Sequence, residues 1–391
     1  MPMGASASTV SSPPRRRWIS RMALQEQITG YLYILPAILL ISVFGLFPIG
    51  YAFYMSLRRW RVVDRGFIGF ENYMKALGDP LGALLFAAGF GLLVVAYVVW
   101  ARAGEGRVHR SLAGKLGPLV IVVVSLFVIS SGWTRMAAEG DDRFLNSIPV
   151  TFYYAMGSIP LQLAIALVLA YILFQKIRGQ ELFRMIFFLP YVTPVIATAL
   201  VFRNIFSPRD TSIANRFLTW IGMDPQKWLF EPRPFIEVVF GWHVEGFFAG
   251  PSMALVSIIA FGIWTFVGYN TVIFLAGLGN IPTEVYEAAE IDGANQWQLF
   301  RHITIPLLSP VTFYLSLIGF IGTFKAFNHI FVMQEPSARD TVITTSVSIF
   351  NTFYKASQFG YASAQAILLL GIILFLTYVQ TKVFGERVFY G

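Results

Sequence analysis

Long apolar stretches alternate with short polar ones along almost the whole chain. Nearly charge-free runs cover 30–57, 81–101, 116–133, 148–174, 182–206, 250–279, 306–334 and 363–384. At about 1.5 Å per residue, a run of about 18 or more crosses a hydrocarbon core about 30 Å thick. The pattern predicts an all-α polytopic membrane protein of about eight transmembrane helices, an even number that leaves both termini on one side. Residues 1–29, rich in Ser, Pro, Ala and Arg and without apolar periodicity, read as a flexible tail. The run after them is too long for the apolar part of a cleaved signal, so it reads as a retained first span. Residues 207–249, with Pro208, Pro225, Pro232 and Pro234, read as a long polar loop with some short structure.

Composition agrees with this picture. Of 391 residues, 56% are hydrophobic, 16% aromatic and 13% charged, against about 25% charged in an ordinary globular protein. The net charge of +8 comes from basic residues clustered between the apolar runs, a distribution that suits membrane ends and not nucleic acid. Lys and Arg divide evenly between alternate loops, the cluster Arg58, Arg59, Arg61 and Arg65 spoiling the positive-inside count, so charge alone does not orient the chain. There is no cysteine and there are four histidines, which excludes disulfides and Cys metal sites and makes a His cluster improbable. Gly114-Lys115 is the nearest approach to a phosphate loop, but His109 stands where its first glycine belongs and Leu116 where its hydroxyl belongs. No nucleophile, base and orienting group assemble by spacing, so the chain reads as a non-enzyme.

One polar segment is strongly patterned. In IPTEVYEAAEIDGANQWQLFRHITIPLLSP, residues 281–310, Thr283 can cap a helix whose early turns carry Glu284 and Glu287. Gly293 can end that helix at positive φ. Asn295 and Gln298 form a candidate capping pair for a second helix running to about His302, and Pro306 limits its continuation. Helix, sharp bend and helix would present Trp297, Phe300 and Arg301 from a polar loop, as a protein-docking knob does.

This register resembles the permease subunits of carbohydrate-type ABC importers, of the maltose and glycerol-phosphate type. Their loop runs Glu-Ala-Ala, three residues, Gly, nine residues, Ile, one residue, Leu-Pro. Here stand Glu287, Ala288 and Ala289, then Gly293, Ile303, and Ile305-Pro306 with Ile for Leu. The stretches GFENYMKAL (69–77), IRGQELFRMIFFLPYVTP (177–194), VIFLAGLGNIP (272–282) and FGYASAQAILLL (359–370) follow in the family's order, about four-fifths of the chain in all. The resemblance implies a type I permease core in a prokaryotic inner membrane, with both termini cytoplasmic. Glu287, Ala288, Ala289, Asp292, Gly293, Trp297, Phe300, Arg301 and Pro306 would form the loop that docks on an ATPase. It further implies a second permease, two ATPase subunits carrying the ATP and Mg, an external solute-binding protein, a carbohydrate or polyol substrate, and no cofactor in this chain.

The chain departs from the family by two extra spans within residues 79–140, which read as an inserted helical hairpin with a basic turn, Arg102 to Lys115. A second departure is residues 233–249, with Trp242, Phe247 and Phe248, an aromatic interface anchor or a contact for the binding protein. The resulting division is a tail 1–29, a first span and external segment 30–78, the hairpin 79–140, and a core 141–391. Polar or aromatic residues inside spans mark the candidate pathway: Trp264, Tyr269 and Asn270 in the sixth, Thr323, Lys325 and Asn328 in the seventh. Each also has a plainer role in packing, interhelical hydrogen bonding or snorkelling. Two other functions stay open from residues alone: a membrane enzyme acting on lipid-linked sugars, with Asp141, Asp142, Glu237 and Glu245 as its acids, and an ion-coupled carrier.

Overall fold

The computed structural model describes residues 21–104, 112–175 and 178–385. Up to Tyr51 the chain forms a unit of its own. Helix α1 (Arg21–Ile41) runs through a π turn, Ser42–Leu46, into α2 (Phe47–Ser56). It begins well ahead of the expected residue 30, because Met22 to Gln27 are strong helix formers whatever their polarity. The rest of the expected tail, the span 105–111 of the basic turn, and Arg387 lie outside the described residues.

Early in the second unit a small antiparallel hairpin, β1 (Arg58–Trp60) and β2 (Asp64–Phe67), holds the only two strands among the described residues. Asp64 holds it closed, accepting from Arg58 and from the backbone N–H of Gly66. Helix α3 (Glu71–Leu77) follows, then α4 (Pro80–Gly104) and α5 (Leu112–Glu139), which pack on each other. Helix α6 (Asp142–Phe174) starts where the Asp141 carboxylate caps the N–H groups of Arg143 and Phe144. Next come α7 (Gln180–Val192), α8 (Val195–Ile205), α9 (Ile213–Trp220), α10 (Phe235–Phe240) and α11 (Met253–Gly279), the last capped by Ser252.

Helices α6 and α11 form the centre of this unit. Tyr154 and Ile159 of α6 and Ile258, Phe261, Phe274 and Leu278 of α11 are all almost completely buried. Helix α7 crosses α11 at Gly268, where a Cβ would stand 1.7 Å from the Phe187 carbonyl oxygen. Only glycine admits so close a backbone approach.

Two of the expected spans are bent. The fifth breaks by 96° between α7 and α8, because Thr193 is held extended ahead of Pro194. The seventh breaks by 61° around Leu308, between the helix end at Leu307 and α15 (Ser309–Phe324). Among the described residues six helices are long and apolar enough to cross a membrane, and the two bent pairs raise this to eight if each is one span. The seventh span also stops short of residue 334. Helix α15 ends at Phe324, and a separate helix α16 (Asn328–Met333) buries His329, Ile330 and Met333. His329 Nε2 lies 2.7 Å from the Tyr154 hydroxyl of α6, so the imidazole buried there is hydrogen-bonded. Helices α17 (Arg339–Val342), α18 (Thr345–Phe350) and α19 (Phe359–Phe384) complete the chain; their labels follow from the bent loop's three helices, α12 to α14, described below.

The loop 207–249 holds short helices, as its sequence leads one to expect. Asn215, fully buried on α9, uses all its amide capacity: it donates to the carbonyls of Arg209 and Gln226 and accepts from Gln226 N–H and Trp228 Nε1. Arg233 donates to both oxygens of Glu231 at 2.9 and 3.0 Å and holds that carboxyl below the usual carboxylate range.

Candidate coupling loop and pathway residues

The patterned loop folds as helix, bend and helix. Helix α12 (Thr283–Ile291) is flanked by Pro282, with Asp292 at its C-terminal end. The expected capping by Thr283 does not occur. Pro282 occupies the cap position, Thr283 is already helical, and no side chain bonds the first turn. Gly293 adopts φ +84°, the left-handed conformation in which other residues are strained. The Ala294 N–H then returns to the Ala289 carbonyl at 2.9 Å.

Helix α13 (Gln296–Leu299) opens with a reciprocal capping box, Asn295 bonding the Gln298 N–H and Gln298 the Asn295 N–H. The chain passes through a π turn, Phe300–Thr304, into α14 (Ile305–Leu307). Pro306 therefore does not stop the second arm near His302. The turn ahead of it widens to the π register, one known way of accommodating a lost helical bond, and the true break comes at Leu308.

Side-chain staples fix the two arms. The Tyr286 hydroxyl of α12 hydrogen-bonds Thr304 Oγ1 of the second arm at 3.0 Å. Leu299 is 3% exposed, an anchor beneath α13. Tyr171 of α6 packs on Phe300 with ring centroids 4.7 Å apart and donates to Gln296 Oε1 at 3.2 Å. The loop is thereby tied to a central spanning helix. Its outer face carries Glu284, Glu287, Glu290 and Asp292 with no base between them, and beside them Ile291, 87% exposed, and Trp297, 64% exposed. Acids around uncovered large apolar side chains have the composition of a docking surface.

All the candidate loop residues thus fall within this one stretch of helix, bend and helix. Glu287, Ala288, Asp292, Gly293, Trp297, Arg301 and Pro306 are exposed, while Ala289 and Phe300 are half-buried. Tyr171, Tyr286, Gln296 and Thr304 were missed. Tyr171 and Gln296 are 125 positions apart, and no periodicity links them.

The pathway candidates divide. Tyr269 stacks on Tyr191 of α7 at 4.6 Å, beside the 96° break, and Trp264 packs on Phe202 of α8 at 4.9 Å. Asn270 is buried on the same helix. Thr323 is buried as well, but its hydroxyl bonds back to the Phe320 carbonyl of its own helix. Lys325 does not sit inside a continuous span. It is the exposed cap at the C-terminus of α15, where a cation is favoured by the helix dipole, and Asn328 is exposed at the start of α16. Tyr191 is the aromatic that sequence reasoning passed over.

Residues 162–390, which include the stapled loop, match the model of the family described as binding-protein-dependent transport system inner membrane component. The chain belongs to that family. The arabinooligosaccharides transport system permease protein AraP of Bacillus subtilis (strain 168) is 30% identical, over 68% of this chain and 82% of its own length. The lactose transport system permease protein LacF of Rhizobium radiobacter is 27% identical over 94% of this chain and 98% of its own. In fold, this permease resembles a chain of a bacterial ABC transporter involved in the import of the acidic polysaccharide alginate, with a TM-score of 0.62 at 19% identity, covering 93% of this chain and 98% of that one. The chain is a multi-pass membrane permease of an ABC importer, and such a system depends on a solute-binding protein.

Proposed function

We propose that this permease forms half of an alternating-access pathway for a carbohydrate or polyol, most simply an oligosaccharide. Relatives named for arabinooligosaccharides and lactose support the substrate class. A second permease supplies the other half. Two ATPase subunits, which carry the ATP and Mg, dock on the bent loops, and this chain holds no cofactor. The loop and both termini face the cytoplasm, and the binding protein delivers substrate at the opposite face.

The observation that carries this reading is the stapled loop. Tyr286–Thr304 and Tyr171–Phe300 make it one body with α6, so displacement of the Glu287 and Trp297 face by an ATPase is transmitted to the bundle centre. On the pathway side, the stacked Tyr191–Tyr269 pair, with Trp264 and Asn270 on the same helix, offers ring faces and an amide to a sugar. Thr323, Lys325 and Asn328, at the end of α15 and the start of α16, are the further candidates for that route. Tagged permease isolated from its native membrane should carry an ATPase with it, and vesicles holding the complex should take up labelled oligosaccharide when given ATP and binding protein. Permease that transports without any ATPase would overturn the reading.

A further inference from the structure

The hairpin β1–β2 has no place in the transport reading, and its charge is incompletely used. Residues 58–71 contain four arginines and two acids. Arg58 pairs with Asp64 at 2.7 Å and Arg59 with Glu71 at 2.9 Å, which occupies both carboxylates. Arg61 and Arg65 remain exposed, with no ion pair among the described residues. Between them the turn projects Val62 and Val63, 78% and 68% exposed. Phe67, Phe70 and Met74, also exposed, continue the apolar surface toward α3.

The depth of this element is fixed by its base. Gly360, the second residue of the spanning helix α19, approaches β1 so closely that a Cβ there would lie 2.2 Å from the Arg58 carbonyl oxygen. The Asn72 amide ties Ser56 and Arg58 carbonyls to α3. The strand therefore starts level with the first turn of a membrane-spanning helix. At about 3.3 Å per residue Val62, four residues further on, lies at most about 13 Å from that level, which keeps the tip near the membrane interface.

Two arginines flanking a pair of exposed valines, beside exposed phenylalanines at that depth, match the chemistry of an anionic lipid surface. We propose that the hairpin tip binds anionic phospholipid, Arg61 and Arg65 on the phosphates and Val62 and Val63 in the interface. The proposal needs no assignment of substrate or of membrane side.

The absence of cysteine makes the test clean. Full-length permease carrying Val62→Cys is labelled with an environment-sensitive fluorophore. It is placed in nanodiscs of phosphatidylcholine, or of phosphatidylcholine mixed with phosphatidylglycerol. The expected result is a blue shift and quenching by headgroup-level spin-labelled lipid in the anionic discs. Both should fall to the neutral-disc level in the Arg61→Ser/Arg65→Ser variant and survive in Arg61→Lys/Arg65→Lys. Helical circular dichroism of each variant checks that the fold is kept. Water-like emission in both lipids, equal burial in both, or a blue shift that appears only when an acidic binding protein is added would each overturn the proposal.

Discussion

The hairpin α4–α5 and the bent loop 281–310 are both pairs of neighbouring helices, yet they are held by different forces. In the hairpin, backbone meets backbone: a Cβ on Gly132 would stand 2.5 Å from the Phe86 amide nitrogen and 2.8 Å from the Gly82 carbonyl oxygen. Its outer surface is left to apolar side chains such as Leu84 and Phe127, 66% and 73% exposed. In the bent loop a Cβ on Gly293 would meet nothing within 4 Å, and the arms are held by a capping box, a Tyr–Thr hydrogen bond and packed aromatic rings. Small-residue contact suits a pair surrounded by lipid, where burying apolar area gives no advantage over the tails. Polar staples suit a polar segment that keeps one shape while its surface carries acids and Trp297.

The sharpest way to break this contrast is at the bend. Gly293→Val forces a β-branched residue into φ +84°, costing at least about 1–2 kcal/mol, and the loop relieves it by opening. Uptake should be lost while the amount of permease in the membrane is unchanged; vesicle uptake beside an immunoblot reads both, and normal uptake would refute a rigid lever.

A smaller effect is expected from removing the hairpin. Gly78 and Gly140 already touch, a Cβ on Gly78 falling 2.5 Å from the Gly140 nitrogen, so the chain can be joined there directly. The deletion also removes the Arg135–Asp79 pair and the bond from Tyr97 to the Val383 carbonyl of α19. Part of the uptake should survive per inserted molecule. Complete loss from a stably inserted deletion protein would mean that the pair lines the pathway or holds the second permease.

Tyr286→Phe should have the mildest consequence, loss of one hydrogen bond worth about 1 kcal/mol. It should loosen the link between ATP hydrolysis and transport without abolishing either. The ratio of sugar moved to ATP consumed in proteoliposomes measures this, and an unchanged ratio would show that the staple carries no coupling.

These two regions also show what was legible in the sequence and why. The helix, the glycine bend and the Asn295–Gln298 cap were readable because each is a local contact between residues three or four apart, with a distinctive residue type. The spans of the hairpin were readable from apolar length alone. The breaks at Pro194 and Leu308 leave no mark on hydropathy, which cannot see a bend inside an apolar run. Lys325 looked buried for the same reason; the end of α15 at Phe324 depends on α16 packing against α6 through His329 and Tyr154. Thr283 was misread by one position, as Pro282 took the cap. The hairpin β1–β2 and the Tyr171–Gln296 contact depend on tertiary neighbours and left no periodic trace.

The central claim is that the bent loop, and not the hairpin, meets the ATPase. A photo-crosslinking amino acid placed in turn at Ile291, 87% exposed on the loop, and at Phe127, 73% exposed on α5, tests it in the intact transporter. Irradiation should join the ATPase to the permease from position 291 and only lipid from position 127. An ATPase adduct from 127, or none from 291, would contradict the account.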